Sequence, residues 1–474
     1  PFDQNTHAEW FDPEWMFGVK TGFDIVIGNP PYIKEYTLRN AFNGLRTSQY
    51  YKGKMDIWYL FACKGIDLLK NNTGILTYIA QNNWITSYGA SKMRNKVIQD
   101  TKILQMIDFG TYMIFENSDI QTMIMMFKSD TKTDNYTFDY RKLEGKDLHF
   151  NDVLDMLNHK QNPKTIYFKP TILRNKFVNK LLTFSDTKFE AILDKISEQN
   201  NFKLTENEVA QGIVPNPDVV TKTSIGKIPS SKIKKYNINV GDGVFVIKHG
   251  TLNVFTKQER KILKPLWEPN EISRFYICNV NNYDIIYFTK SDSPEDYPNI
   301  ILHLIKYKEI MEGRRENRQG KISYYHLHWP RDKYFFEEGP KILGVRKCNV
   351  PTFAYTEREV YVMMAINVIK TERINLKYLT ALLNSKLIAF WLKHKGKMQG
   401  ENYQIDKEPL LALPIKKIPN KEQQPFIDLV DKILAAKKDN PQADTGTWER
   451  EIDRLVYELY ELTEEEKAIV ENKK

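Results

Sequence analysis

Apolar positions in the first third of this 474-residue chain follow short, clearly separated patterns. Residues 23–28, Phe-Asp-Ile-Val-Ile-Gly, form a β-branched run with no helical period. Such a run predicts a buried parallel strand opening into a turn. Residues 55–69 are apolar nearly all round, which predicts a buried helix that Asn71-Asn72-Thr73-Gly74 then breaks. Residues 75–80 read as a second buried strand, with Gln81-Asn82-Asn83-Trp84 at its carboxyl end. Residues 91–100 have amphipathic spacing, with Met93, Val97 and Ile98 on the inner face. Two more strands, 103–109 and 121–127, flank a loop that carries Phe115. Strands alternating with helices predict an α/β fold.

Further along, the pattern predicts a change of domain. The strand at 135–140 closes a first domain over 1–140. Residues 141–201 read as a helical extension, with helices near 150–157 and 189–197. A strand-rich, irregular α+β domain is expected over 202–415, its turns marked by "VPNPDV", "GDG", "EPNE" and "DSPEDYPN". Within it, Gly241-Asp242-Gly243 between "YNINV" and "VFVIK" predicts a hairpin turn. Residues 416–474 read as two amphipathic helices, an antiparallel pair separated by Asn440-Pro441 and packed on the preceding domain.

Composition narrows the class. Aromatic residues make up 12% of the chain, which argues against long disordered stretches. The formal net charge of +9 suits a polyanionic partner, although many proteins without one reach this value. Cys63, Cys278 and Cys348 are far apart and form no metal or disulfide pattern, consistent with a reducing compartment. No apolar run approaches the roughly 20 residues needed to span a bilayer, so the expected location is the cytoplasm, with no membrane partner.

The candidate chemistry follows the first strand. In Asn29-Pro30-Pro31-Tyr32 two prolines fix φ, remove two donors and prevent a helix from starting. An amide oxygen, a rigid carbonyl and an aromatic ring are thereby held at the carboxyl end of a strand, where open α/β sheets bind ligands. An amino nitrogen conjugated to a ring is a poor nucleophile, because its lone pair is delocalised. Asn29 and the Pro30 carbonyl can accept its hydrogens and favour a pyramidal, reactive nitrogen, while Tyr32 stacks on the planar substrate. Taken alone, the tetrapeptide fits an ordinary strand-ending turn equally well.

A second candidate surface lies in the later domain. Arg314, Arg315, Arg318, Lys321 and Arg331 are interleaved with Tyr324, Tyr325, His326, His328 and Trp329. Guanidinium groups can clamp phosphates or a guanine edge, and aromatic rings can wedge or stack. A solvated charged face over core aromatics is the competing reading. His326 and His328 lack a third ligand at metal-binding spacing, which favours structural or DNA-contacting roles. Glu144-Gly145-Lys146 fits half of a magnesium-nuclease motif, but no Pro-Asp pair stands suitably upstream.

The stretches "GFDIVIGNPPYI", "GILTYIAQNNWI" and "FENSDIQTMIMMF" resemble, in order and spacing, the catalytic half of gamma-class adenine-specific DNA methyltransferases. Within that class they look most like the fused restriction–modification enzymes called type IIG. The resemblance implies a partial Rossmann-like sheet and S-adenosylmethionine as methyl donor. It makes Asn29, Pro30, Pro31 and Tyr32 the catalytic motif and Phe115 a second ring on a flipped adenine. It also sets Asp56 and Phe61 in a segment that borders the cofactor. "AQGIVPNPDVV", "ILKPLWEPNEISRF", "YPNIILHLIKYKEIMEGRR" and "LTALLNSKLIAFWLKHKGKMQGENYQI" resemble the TaqI-like carboxyl-terminal specificity domain. The implied partner is double-stranded DNA, in a bacterial or archaeal cell.

The glycine-rich loop that such enzymes use for the cofactor is not found before Phe23, and the chain starts at Pro1. The expectation is therefore a fragment whose missing amino-terminal part supplies that loop, together with any Mg2+-dependent endonuclease. Such a fragment would bind S-adenosylmethionine weakly and be inactive alone. Two other readings stand beside this one: a non-catalytic DNA-specificity module, and a protein-glutamine or RNA methyltransferase.

Overall fold

The computed structural model describes residues 12–115, 120–145, 147–182, 184 and 187–472. Two compact units divide the chain, 1–191 and 192–474.

In the first unit a short helix, α1 (Pro13–Phe17), precedes strand β1 (Ile25–Gly28). Helix α2 (Trp58–Asp67), strand β2 (Ile75–Gln81), helix α3 (Ser91–Asp100), strand β3 (Thr101–Asp108) and strand β4 (Thr122–Ser129) follow. Beyond them come β5 (Asn135–Thr137), β6 (Asp139–Leu143), α4 (Phe150–Leu157), β7 (Thr165–Phe168), β8 (Thr171–Leu173) and α5 (Arg174–Phe177), and α6 (Thr187–Glu198) runs across the division between the units. Six strands form one sheet in the order β1-β2-β4-β3-β6-β7. β1 runs parallel to β2, with Ile25 opposite Ile75, and β4 enters antiparallel between β2 and β3.

Both faces of this sheet are covered over its middle strands. On one side α2 and α3 bury Trp58, Tyr59, Met93, Val97 and Ile98 against Leu76, Met125 and Phe127. The approach is close, because a Cβ on Gly65 of α2 would meet Leu76 Cδ1 at 2.6 Å. On the other side Val153 and Met156 of α4 pack on Ile107, Phe109 and Leu143.

The sequence pattern locates these elements well, with two departures. The sheet does not close at residue 140, because β6 pairs parallel with β3, and β7 then pairs with β6. The first unit accordingly extends to Ala191, well into the expected helical extension. Helix α2 is also not buried all round, since Phe61 is 45% exposed.

Among the described residues, the second unit holds three sheets. Strands β9 (Val209–Gln211), β10 (Val246–Lys248), β11 (Leu263–Trp267) and β12 (Tyr283–Ile286) are followed by β13 (Lys341–Val345) and β14 (Lys347–Cys348). After them come β15 (Phe353–Thr356), β16 (Tyr361–Val362), β17 (Ile366–Ile369), β18 (Met398–Gln399) and β19 (Asn402–Gln404). The sheet orders are β10-β12-β11-β16, β15-β13-β17-β9 and β14-β19-β18. Phe202 and Ile415, the two ends of the expected specificity segment, are bridged to each other.

The hairpin expected at residues 241–243 is not a hairpin. Gly241 has φ +97°, but the turn pairs with residues 219 and 220, and β10 pairs with β12 instead. The expected flanking strand "YNINV" does not form: its Tyr236 ends a helix, Ser230–Tyr236. At the carboxyl end, helices Asn420–Asp439 and Gly446–Leu459 pack on one another. The Tyr460 hydroxyl donates to the Pro414 carbonyl at 2.6 Å and accepts from Lys416 N at 3.0 Å, fixing this end to the rest of the unit.

Candidate active site and basic surface

The Asn29-Pro30-Pro31-Tyr32 segment leaves the carboxyl end of β1, as its two prolines require. Asn29 and Pro31 are exposed, Pro30 is buried, and Tyr32 is half-buried with its ring against the core under α2. The Tyr32 hydroxyl is shared between Asn29 Oδ1 at 2.6 Å and the Ile79 carbonyl at 2.9 Å. This contact joins the segment to the carboxyl end of β2. Burial, with Asp56 as a second cause, pushes the Tyr32 phenol up to about 12, so it remains protonated at neutral pH.

Asp56 holds the exit of the turn. Its Oδ1 accepts from Ile33 N at 3.0 Å and from Trp58 N at 3.5 Å, capping the start of α2 with the same oxygen. The backbone adds Ile57 N to Ile33 O and Glu35 N to Met55 O, both 2.9 Å. Residues 33–35 are thus fastened to the head of α2. Asp56 is 3% exposed, its Oδ2 has no hydrogen-bond partner, and burial raises its carboxyl above the usual range. Phe61 stands one turn further along α2, exposed, with its carbonyl 3.5 Å from the Tyr78 hydroxyl.

The sequence reading overlooked a second anchor. Asp108, 4% exposed at the end of β3, accepts through Oδ1 from Asn82 Nδ2 at 2.9 Å and from Gly110 N at 3.0 Å. Asn82 N in turn donates to Gln121 O at 3.1 Å. These bonds fix both roots of the loop between β3 and β4, where Phe115 is half-buried. The polar residues after a buried strand were the available signal. Asn29 and Tyr32 follow the carboxyl end of β1, and the loop leaves the carboxyl end of β3 and enters the amino end of antiparallel β4, so all lie along the ligand-binding edge of an open α/β sheet.

In the second unit the basic cluster divides. Arg314 is 5% exposed and its guanidinium donates to the carbonyls of Met311, Asn216, His326, Ser323 and Tyr324 at 2.8–3.4 Å. Burial lowers it to about 10. An inward, carbonyl-saturated guanidinium has no donors left for phosphate, which corrects its expected place on a DNA-contacting surface. Arg315, Arg318, Lys321 and Arg331 are exposed and, among the described residues, make no ion pair. His328 is held at both ring nitrogens: Nε2 lies 2.7 Å from Glu316 Oε2 and Nδ1 lies 3.1 Å from Asn216 Nδ2. His326 Nδ1 accepts from Ser323 N at 2.9 Å. Among the described residues no group of three or more His, Cys, Asp or Glu side chains could hold a metal ion, and no helix is long and apolar enough to cross a membrane.

Comparison with known proteins agrees with the motifs. Residues 2–115 match the family described as Eco57I restriction-modification methylase, and residues 264–415 match the TaqI-like C-terminal specificity domain. The chain is 21% identical over 451 residues to the type II methyltransferase M.HindII of Haemophilus influenzae, covering 88% of this chain and 80% of that protein. It is 26% identical over 123 residues to the type II restriction enzyme and methyltransferase RM.Eco57I of Escherichia coli, covering 24% of this chain and 12% of that protein. The solved structure of the Type IIL restriction-modification enzyme MmeI in complex with DNA superposes with a TM-score of 0.59 at 11% identity. That likeness covers 94% of this chain, which spans 56% of the solved one, and it concerns the fold alone. The chain therefore carries a restriction–modification methylase segment followed by a TaqI-like specificity domain.

Proposed function

We propose that this chain is the motif-bearing part of a site-specific DNA adenine methyltransferase of a restriction–modification system. One observation carries the reading: an exposed Asn29 amide oxygen at the carboxyl end of β1, with the Tyr32 ring tied beside it at 2.6 Å. Asn29 Oδ1 and the Pro30 carbonyl accept the two hydrogens of the exocyclic amine and turn its lone pair toward the donor. Tyr32 and Phe115 flank the extruded base, which offsets part of the few kcal/mol that flipping costs. Positioning supplies much of the acceleration. None of Asn29, Pro30, Pro31 and Tyr32 is an effective base at neutral pH, Tyr32 being held protonated, so the proton leaves the nitrogen after methyl transfer.

S-adenosylmethionine supplies an activated methyl group when bound. The fit of this chain to it is partial. Phe61 offers an exposed aromatic face on α2, and Asp56 keeps one buried oxygen without a partner. The described residues contribute no glycine-rich loop at a strand end for the remainder of the cofactor. β1 is the edge of its sheet, yet Ile25 and Ile27 on it are 67% and 77% exposed. Parallel strands are normally covered on both faces and paired on both sides. The cofactor-holding part of the sheet accordingly joins along β1, supplied by an amino-terminal part of the same polypeptide.

The test is product analysis with the complete enzyme. Duplex DNA is incubated with S-adenosylmethionine carrying a labelled methyl group, then digested to nucleosides. Label in N6-methyladenosine supports the reading. Label in a cytosine derivative, or in RNA or protein glutamine when these are offered instead, refutes it.

A further inference from the structure

Trp329 is 47% exposed on the second unit, and its surroundings hold it rigid. Its backbone pairs both ways with Val214, N to O at 3.0 Å and O to N at 3.1 Å. The next two carbonyls, of Pro330 and Arg331, lie 3.0 and 3.1 Å from the Tyr287 hydroxyl. The His328 ring stacks on the indole at 4.5 Å and 20°, and is itself fixed at both nitrogens by Glu316 and Asn216. The Arg331 guanidinium lies 5.5 Å from the indole centroid. Glu316 belongs to the short helix Arg315–Arg318, so the exposed Arg315 and Arg318 stand on the element that fixes the His328 ring, and Lys321 N is tied to Glu316 O at 2.9 Å.

Leaving half an indole in water forgoes apolar burial. A side chain this firmly mounted loses little conformational freedom on contact, so burial by a partner converts efficiently into affinity. The surrounding cations indicate an anionic partner, and a flat ring suits one that also carries planar groups. Duplex DNA has both.

We propose that Trp329 is a fixed aromatic contact to duplex DNA, packing on bases or deoxyribose within a groove while Arg315, Arg318 and Lys321 hold the flanking phosphates. This inference rests on the DNA-methyltransferase reading and adds to it the residue that contacts the groove interior. Aromatic packing releases no counterions, so its contribution is independent of salt, whereas each phosphate contact steepens the salt dependence.

The experiment measures binding of wild type, Trp329→Ala, Trp329→Phe and Arg315→Ala to a pool of random-sequence DNA duplexes and to heparin, over a salt series. Melting temperatures are recorded for each variant. Trp329→Ala is expected to bind duplex about 10- to 100-fold more weakly with an unchanged salt slope, and to bind heparin as wild type does. Trp329→Phe should recover most of the loss, and Arg315→Ala should weaken both ligands and flatten the slope. Equal duplex affinity for wild type and Trp329→Ala would overturn the inference. Parallel loss on duplex and heparin with a lowered melting temperature would also overturn it, by reducing Trp329 to a structural role. If wild type binds heparin but not duplex, the DNA reading itself fails.

Discussion

The Tyr32 hydroxyl sits 2.6 Å from the Asn29 amide oxygen, so the acceptor assigned to the target amine is already engaged by the residue assigned to stack on the base. The second contact of the hydroxyl, to the Ile79 carbonyl at 2.9 Å, gives the proton another acceptor when the amine arrives. Exchanging one such bond costs about 1 kcal/mol, a small barrier beside that of flipping a base. Phenylalanine at position 32 keeps the ring and removes the competing donor. In the complete enzyme, Tyr32→Phe should therefore keep kcat/KM within a few-fold of wild type. Tyr32→Ala should lower it by about 10- to 100-fold, the worth of one stacked base. Steady-state methylation kinetics on one duplex separate the two variants, and equal losses would show that the hydroxyl matters more than the ring.

Asp56 fastens the turn through one oxygen and buries the other without a partner. Its folded pKa is raised, so its contribution to stability is fully present below the unfolded carboxylate value and is lost as pH rises through the folded one. At neutral pH the charge is a cost. Asp56→Asn keeps an acceptor for Ile33 N and removes the charge, so it should narrow the stability gap between pH 4 and pH 7. Asp56→Ala leaves Ile33 N and Trp58 N unpaired and should destabilise by about 1–3 kcal/mol. Denaturant titrations at the two pH values check both outcomes.

Arg314 and Arg315 are adjacent in sequence and opposite in placement. Arg314→Ala leaves several buried carbonyls without donors and should cost about 3 kcal/mol or more of stability. Arg315→Ala should change stability by no more than about 0.5 kcal/mol and lower the salt slope of DNA binding by about one. Thermal melts and a salt titration of both variants test the division. A stable Arg314→Ala protein with a reduced salt slope would return that residue to the DNA-contacting surface.

The contrast also shows where the sequence is legible. The order and type of the elements from β1 to β4 follow from apolar runs and their breaks, because each run is long enough to bury on its own. The Asn29 segment is legible because two prolines leave the backbone few choices. Arg314 was not, since a buried and an exposed arginine look alike until the carbonyls of Asn216, Ser323, Tyr324 and His326 are brought around one of them. The turn at Gly241 shows the same limit: its local chemistry is clear, but its partner at residues 219–220 is set by tertiary pairing. Asp56 and Asp108 act through bonds to other segments, so polar residues beside a buried helix or strand are visible in the sequence but the partners they anchor are not.

Glu208 offers a test of the second unit at low pH. Arg373 foremost, with Thr371 and Thr205, holds its carboxyl down at about 2. A depressed folded pKa contributes stability that is present above the unfolded value near 4.5 and is lost as pH falls toward about 2. Glu208→Gln should therefore flatten the acid limb of the stability profile in that window, with little change in its slope between pH 6 and pH 8. Unfolding followed across the acid range provides the measurement, and an unaltered acid limb would remove Glu208 from the account.

The proposed reaction separates catalysis from binding at Asn29, whose Oδ1 rests on the Tyr32 hydroxyl and serves the reacting nitrogen. Its most direct test is Asn29→Ala in the complete enzyme, with methyl transfer and DNA binding measured on the same preparation. Methyl transfer should fall by several orders of magnitude, with specific duplex affinity close to that of wild type. Near-normal turnover in Asn29→Ala would contradict it.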